Sequence, residues 1–440
     1  MSPVRVIHAS YVNVPATAAL PPEPIKLTAM EASWVVVPVL QHVLLYEGED
    51  MPPFNEILQS LRSSLTATLR SFAPLAGKLV HLEDTGDVGL SCSSSDGINF
   101  VVAESDADIH HLAGDEKQDV HVLERLVPEV DMGELPTPVL AVQATRFKGG
   151  VALGVTVHHG VADGRSLWTF VEAWATACRG ETQAATPCFD RSLVKLPGGQ
   201  ELARSFLRKY APNLPKAAYP APLSEDHGRL TRRTFTVDAR GIQRLKEHIV
   251  RLGESSVAAP PRPPSTFIAV VALAWTCFAR CKPFASDDVV MVGFLADARH
   301  RLDPPVDAGY LGACLTGCIA SIPARELRDE HALAAAARGV QEEVRKKTED
   351  PMAGCDFLAP AFTVAMERLM NVSGSSSFRA YELADFGWGK PMRTENTRMI
   401  RDGQVALMRA RDGQGVQVSV SLLEPGQMAE FKSQLLELVG

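Results

Sequence analysis

An α/β (α+β) fold in two domains is the architecture this sequence predicts, and three observations carry it. The chain has 440 residues, beyond the roughly 250–300 at which single hydrophobic cores stop growing. Period-two apolar runs and helical apolar stripes alternate along both halves. From Glu181 to about Glu225 that periodicity fades and Pro and Gly accumulate, as in a segment crossing between domains. The expected division is a first domain at 1–185, a crossover at 186–225 and a second domain at 226–440.

The first half reads as follows. Trp34 to Tyr46 is apolar and β-branched and reads as a strand with an irregular entry at Pro38. Ile57 or Leu58, Leu61, Leu65 and Leu69 recur at helical spacing, and the helix ends before Pro74. FAPLAGKLV, Phe72 to Val80, reads as a helix exit into a strand, which the DTGD turn folds into a hairpin with Val88 and Leu90. Ile98 to Val130 is acidic and loop-rich and reads as surface. Val139 to Phe147 and Val151 to Val157 form two strands about Lys148-Gly149-Gly150. Leu167, Phe170, Val171, Trp174 and Cys178 then mark an amphipathic helix whose first turn Ser166 is placed to cap.

In the second half, Leu230 to Val237 resumes strand alternation and Gly241 to Leu252 is helical. Ala258 to Ser265 (AAPPRPPS) is a rigid loop. Thr266 to Arg280 is apolar nearly all round, which suits a buried helix behind a cleft. Asp288 to Phe294 is a buried strand running into ADARHRLDPP. The charged run Arg325 to Glu349 is a helix with a solvated face. Gln404 to Arg409 and Val416 to Leu422 form a hairpin about DGQG, and Met428, Phe431, Leu435 and Leu438 line a terminal helix.

Composition narrows the function. Hydrophobic residues make up 46% and charged ones 22%, the balance of a globular protein. The net charge of −8 supplies no basic field for nucleic acid or an anionic membrane, so the expected partner is a small molecule. No apolar stretch is long enough to span a bilayer and residues 1–20 carry no basic start followed by an apolar block, so the expected compartment is the cytoplasm. The 8 cysteines are scattered, and reduced thiols are expected. Cys277 and Cys281, with Cys314 and Cys318, make two C-x-x-x-C pairs, wider than usual zinc spacing, so core packing rather than metal binding is expected.

The chemistry centres on HHGVADG, His158 to Gly164, where a strand delivers two histidines into a glycine-bounded turn carrying a carboxylate. Neighbouring strand side chains face opposite ways, so one histidine, His159, is the candidate general base. Its ordinary pKa of about 6.5 leaves it largely neutral at pH 7. Asp163 sits across the turn, placed either to orient the imidazole or, the reading favoured by its position before a helix, as an N-cap or ion-pair partner. No G-x-S-x-G elbow and no neighbouring cysteine supply a covalent nucleophile. In DFGWG, Asp385 to Gly389, the glycines let the backbone approach closely while the Trp388 N–H serves either as a donor to a developing oxyanion or simply in packing.

Taken together, these residues resemble the BAHD family of plant CoA-dependent acyltransferases. HHGVADG matches its H-x-x-x-D motif and DFGWGK its D-F-G-W-G motif, and FAPLAGKL, Ser265 to Phe267 and DARHRLDPP extend the likeness over most of the chain. FDRS at Phe189 to Ser192 resembles the branch that acylates anthocyanin, flavonoid and other phenolic glycosides, although its Y-F-G-N-C marker reads Tyr310-Leu311-Gly312-Ala313-Cys314 here. The resemblance implies two chloramphenicol-acetyltransferase-like domains, each a mixed sheet with flanking helices, with acyl-CoA entering the channel between them from one side and the acceptor from the other. It implies catalytic roles for His159, Asp163 and Trp388, with the Asp163 carboxylate turned away from the site to pair with Arg299, and structural support from Asp385, Gly387 and Arg299. Ser265, Thr266, Arg165 and Arg393 are the candidates for donor binding, the last two because they closely follow the two motifs. Arg165 and Arg393 are the cations available to a malonyl carboxylate; malonyl is the first choice of donor and a hydroxycinnamoyl group the second. The expectation is a monomer with acyl-CoA as co-substrate, no permanently bound cofactor and no metal. A hydrolase using the same histidine, or a non-catalytic binder of phenolic ligands, stays open at this point.

Overall fold

Two six-stranded mixed sheets carry the computed structural model, which describes residues 4–37, 39–114, 119–182, 186–217, 229–254, 263–307, 309–359 and 364–440. The first runs, edge to edge, β1 (Val4–Asn13), β6 (Gly97–Ser105), β8 (Leu140–Phe147), β9 (Gly150–Val157), β3 (Leu40–Glu47) and β14 (Arg393–Asn396). The second runs β10 (Thr231–Val237), β16 (Val416–Leu422), β15 (Gln404–Arg409), β13 (Leu369–Gly374), β11 (Val289–Asp297) and β12 (Leu315–Pro323). A small sheet of β2 (Ile25–Lys26), β5 (Asp87–Ser91), β4 (Lys78–Leu82) and β7 (Thr137–Pro138) flanks the first. The predicted α/β class and the two sheet-bearing domains are what the chain forms.

Local sequence explains most elements. The hairpin β8–β9 closes at Gly149, whose φ of 81° lies where glycine is favoured. Helices α2 (Phe54–Phe72) and α5 (Gly164–Cys178) pack together, and the buried indole N–H of Trp174 donates to the Leu61 carbonyl at 3.1 Å. Behind the second sheet, α8 (Thr266–Cys281) is enclosed by α7 (Ala239–Glu254), α9 (Ala332–Glu349) and α11 (Pro425–Val439), so its all-round apolarity finds partners on every side. Leu273, Trp275 and Phe278 are no more than 1% exposed, and each such side chain contributes about 1.5–3 kcal/mol. Cys277, Cys281, Cys314 and Cys318 are buried thiols.

Four expectations need correction. Trp34 is not in a strand: Ser33–Val36 is a 3-10 turn following α1 (Ala29–Ala32), and the strand begins at Leu40. The region read as surface loop contains β6 and the short helices α3 (Ile109–Ala113) and α4 (Val120–Arg125), and its Ile98, Phe100 and Leu123 are wholly buried; its acidic residues hid a two-sided strand. The crossing segment holds a three-turn helix, α6 (Gly199–Tyr210), which packs Ala203, Phe206 and Leu207 inward. The charged helix begins at Ala332, and its Glu343 and Lys347 turn inward instead of facing solvent. Most of the proline-rich loop Ala258 to Ser265 lies outside the described residues.

The strand β14 joins the two halves. Although it follows DFGWG in the chain, it pairs antiparallel with β3, from Arg393 opposite Leu45 to Asn396 opposite His42. Its Glu395 meets the second sheet: Arg232 donates to its carboxylate at 2.7 Å, Thr234 and Ser419 at 2.8 Å. Glu395 is 0% and Arg232 1% exposed. Breaking such a pair strands a buried charge, whereas replacing both members by apolar groups is far milder. Glu395→Leu should therefore lower stability by about 3–5 kcal/mol in urea unfolding, and adding Arg232→Met should recover most of that loss.

Candidate active site

The site is built where β9 ends. The His158 N–H donates to the Val139 carbonyl at 2.7 Å, and its ring Nδ1 accepts the Gly160 N–H at 3.0 Å, closing a tight turn. His158 is thereby drawn into the core at 1% exposure, while His159 lines two cavities of about 690 and 460 Å³. Both cavities also share Leu40, Phe294, Leu295, Val372, Ser373 and Asn396, so the imidazole stands on the wall between them. Of the two adjacent histidines, the one expected to face open space does so.

Asp163 caps α5 through one oxygen, which accepts the Ser166 N–H at 2.9 Å. Its other oxygen takes Arg299 Nη1 at 2.7 Å and the Cys314 N–H at 3.2 Å. These contacts consume the carboxylate, so Asp163 does not orient His159 by hydrogen bonding, and the favoured N-cap and ion-pair reading describes it. Arg299 alongside holds the carboxyl below its usual range despite burial, which pushes the other way. Ser166, expected as the cap, instead reaches across to the second half, where its Oγ donates to the Gly312 carbonyl at 2.9 Å.

The donor-binding candidates separate. Ser265 caps α8 and lines the larger cavity, together with Arg165, Arg301 and Phe267. Arg165 is ion-paired with Asp297 at 3.2 Å and one-third exposed. The Thr266 hydroxyl accepts from Lys246 at 2.9 Å. Arg393 is not on the cavity wall: it is buried, donates to the Ala113 carbonyl at 2.9 Å and stands 4.0 Å from Glu395. Sequence proximity to DFGWG gave Arg393 its candidacy, but β14 turns it inward, between the Ala113 carbonyl of the first half and Gln417 of the second.

DFGWG is also remote from the histidine. Asp385 accepts the N–H groups of Gly387 at 2.9 Å and Gly389 at 3.0 Å, a turn that needs glycine at φ 101° and 94°. The Asp385 carbonyl accepts from Arg179, which follows the last residue of α5, just beyond the short helix α10 (Ala380–Leu383). Trp388 packs on Phe386 and Tyr46, with centroids 5.7 and 6.0 Å away. Asp163 and Arg179 bracket α5, which at 15 residues is about 22 Å long. Trp388 is therefore brought to the wrong end of the helix for an oxyanion donor, whereas Asp385 and Gly387 shape this turn and Arg299 is paired with Asp163.

Several wall residues escaped the sequence reading. Trp34 stacks on His159 with centroids 3.7 Å apart and planes at 14°, and Phe357 stacks on the other indole face at 3.9 Å. His42 lines the larger cavity beside Trp168. The Asn396 side-chain carbonyl accepts the Arg398 N–H at 3.0 Å, which leaves its NH2 as the donor end on the wall shared by both cavities. None lies in a motif.

A family model described as the Transferase family matches residues 7–438. The chain is 29% identical over 443 residues to a malonyl-CoA:anthocyanidin 5-O-glucoside-6''-O-malonyltransferase of Arabidopsis thaliana, covering 96% of this chain and 95% of that one. It is 28% identical over 456 residues to an agmatine coumaroyltransferase of the same plant, covering 99% of each. Among solved structures, vinorine synthase superposes with a TM-score of 0.75 at 22% identity, covering 99% of this chain and 98% of that one, a likeness of fold.

Burial lowers the pKa of His159 to about 4, against the pull of its own backbone and of the Asp163 charge, and that of His158 to about 3, with His159 adding to the effect. A histidine held neutral when folded binds its proton more readily when unfolded, so its stabilising contribution is complete above pH ~6.5 and is lost as pH falls toward the lowered value. Thermal unfolding should shift to lower temperature between pH 7 and 5, and His158→Asn, whose side-chain oxygen can still accept the Gly160 N–H, should flatten that slope. Trp388→Phe, which keeps the ring stack, should leave kcat within about threefold, against the roughly 10²–10³-fold expected for loss of an oxyanion donor.

Proposed function

The chain belongs to the BAHD acyltransferases of the Transferase family, and from that premise we propose that it transfers an acyl group from malonyl-CoA or a hydroxycinnamoyl-CoA to a hydroxyl of a phenolic glycoside, with His159 as general base. It is a CoA-dependent O-acyltransferase, and acyl-CoA is its co-substrate. The observation that carries the reading is a neutral imidazole on the wall shared by two cavities, which gives each substrate its own approach to one base.

The larger cavity suits the donor. Arg165 and Arg301 on its wall offer charge to phosphate or to a malonyl carboxylate, and Ser265 with Phe267 lines the passage. With Arg393 committed elsewhere, Arg165 is the remaining candidate of the two for reading the acyl group. The smaller cavity, walled by Trp34, Phe357 and Leu358, suits a flat phenolic acceptor. Both substrates thus enter between the domains, which we keep at 1–185 and 226–440.

The imidazole takes the acceptor hydroxyl proton while that oxygen bonds to the thioester carbonyl carbon. The tetrahedral intermediate collapses by breaking the C–S bond, and the imidazolium returns the proton to the CoA thiolate. Asn396, with its amide donor on the shared wall, is assigned to the developing oxyanion in place of Trp388. Asp163 and Arg299 are positioning residues that fix the turn carrying His159. The free thiols of all 8 cysteines suit a reducing compartment, and we keep the cytoplasm and a monomer as the working state.

Incubating the enzyme with malonyl-CoA or 4-coumaroyl-CoA and a panel of flavonoid glucosides should give acylated glucoside by product mass, with sequential kinetics and no acyl group left on the protein. His159→Ala should lower kcat/KM by about 10²–10⁴-fold. Release of free acid at one rate with or without the glucoside would establish a hydrolase instead.

A further inference from the structure

We infer that Trp34 is a positioning residue for the base: its indole fixes the plane of the His159 imidazole by stacking and stabilises the imidazolium formed in mid-reaction. This rests on His159 being the base and goes beyond it by naming what orients that base.

A catalytic histidine is commonly oriented by a third group, most often a carboxylate on its far nitrogen. Here the nearby carboxylate is unavailable, because both Asp163 oxygens are taken by Ser166, Arg299 and Cys314. What lies against the imidazole is a ring. Trp34, 3% exposed in its 3-10 turn, covers one face of His159 at 3.7 Å and 14°, and Phe357 at 3.9 Å and 23° covers the opposite face of the indole. The three rings form one column, so rotating the imidazole about its side-chain bonds breaks the innermost contact while the indole is held from behind. Trp34 comes from the first half of the chain and Phe357 from the second, so the column completes only where the halves meet.

The chemistry of the stack suits the proton cycle. The imidazole gains a proton as the acceptor oxygen bonds to the acyl carbon, and loses it to sulfur once the C–S bond has broken. Between those events it carries a positive charge, and the electron-rich face of an indole attracts a cation far better than an aliphatic side chain does. A carboxylate in that place would hold the proton more strongly and slow its return.

Trp34 also walls the smaller cavity, so a purely acceptor-binding role must be separated from positioning. Trp34→Phe keeps a ring, and Trp34→Leu keeps apolar volume without one. With malonyl-CoA or 4-coumaroyl-CoA, whichever the parent enzyme turns over, and a flavonoid glucoside, Trp34→Phe should hold kcat within about threefold. Trp34→Leu should lower kcat by about tenfold or more with both KM values within about twofold, and move the acid limb of the kcat/KM profile down by about half a pH unit or more, because the imidazolium loses its partner. Should Trp34→Leu fail to fold by circular dichroism, Trp34→Met carries the same expectation. Parental kcat without the ring, a loss confined to the acceptor KM, or an acid limb unmoved or raised overturns the inference while leaving the acyltransferase reading intact. A fully active His159→Ala would overturn the base assignment beneath it.

Discussion

Everything at the proposed reacting centre hangs on one buried ion pair, Asp163 with Arg299, at 1% and 0% exposure. Its Asp163 lies four residues beyond His159, the proposed base, and the pair ties the start of α5 to the segment that follows β11. The same guanidinium donates to the Gly312 carbonyl at 2.9 Å, and Asp163 takes the Cys314 N–H, so three stretches of chain meet on it. A pair this dry gains little net energy over an apolar contact of equal volume. Its value is geometric, since few other arrangements satisfy all those partners, and the turn bearing His159 has little freedom left.

A second buried pair works at a different depth. Glu395 with Arg232 locks the borrowed strand β14 against the second sheet, and Thr394, Gln417 and Ser419 around it form the floor of the larger cavity. The His42 imidazole faces this floor; burial lowers its pKa to about 4, opposed by Glu395 and assisted by Arg232. The cavity that we assign to the donor is therefore polar at its base but close to neutral there. Cationic side chains gather toward Arg165 and Arg301 instead.

How much of this could be read from the residues alone depended on range. Hairpins such as β8–β9 and β15–β16, and an all-apolar helix such as α8, announce themselves because turn chemistry and period are local. HHGVADG was legible for the same reason, since a strand, a tight turn and an N-capped helix all lie within one short stretch. Trp34 and Phe357 were not, because stacking across more than three hundred residues leaves no periodic trace. Trp388 misled for the opposite reason: its flanking glycines mark a tight turn, but nothing local tells which end of α5 that turn will meet. Likewise the acidic run before Val130 concealed β6, because charge at strand ends and in loops outweighed the buried Ile98 and Phe100 in a reading by composition.

The strand β14 has a bearing on how such chains diversify. Because residues 393–396 belong to the second half in sequence but complete the first half's sheet, the first half does not carry a finished set of strands by itself. Exchanging halves between relatives by a single crossover in the connecting segment would import a foreign edge strand along with the new partner, and set it against an unfamiliar β3. Productive chimeras need three breakpoints, one in the crossing segment and one on each side of β14, so that the lent strand travels with the sheet it serves.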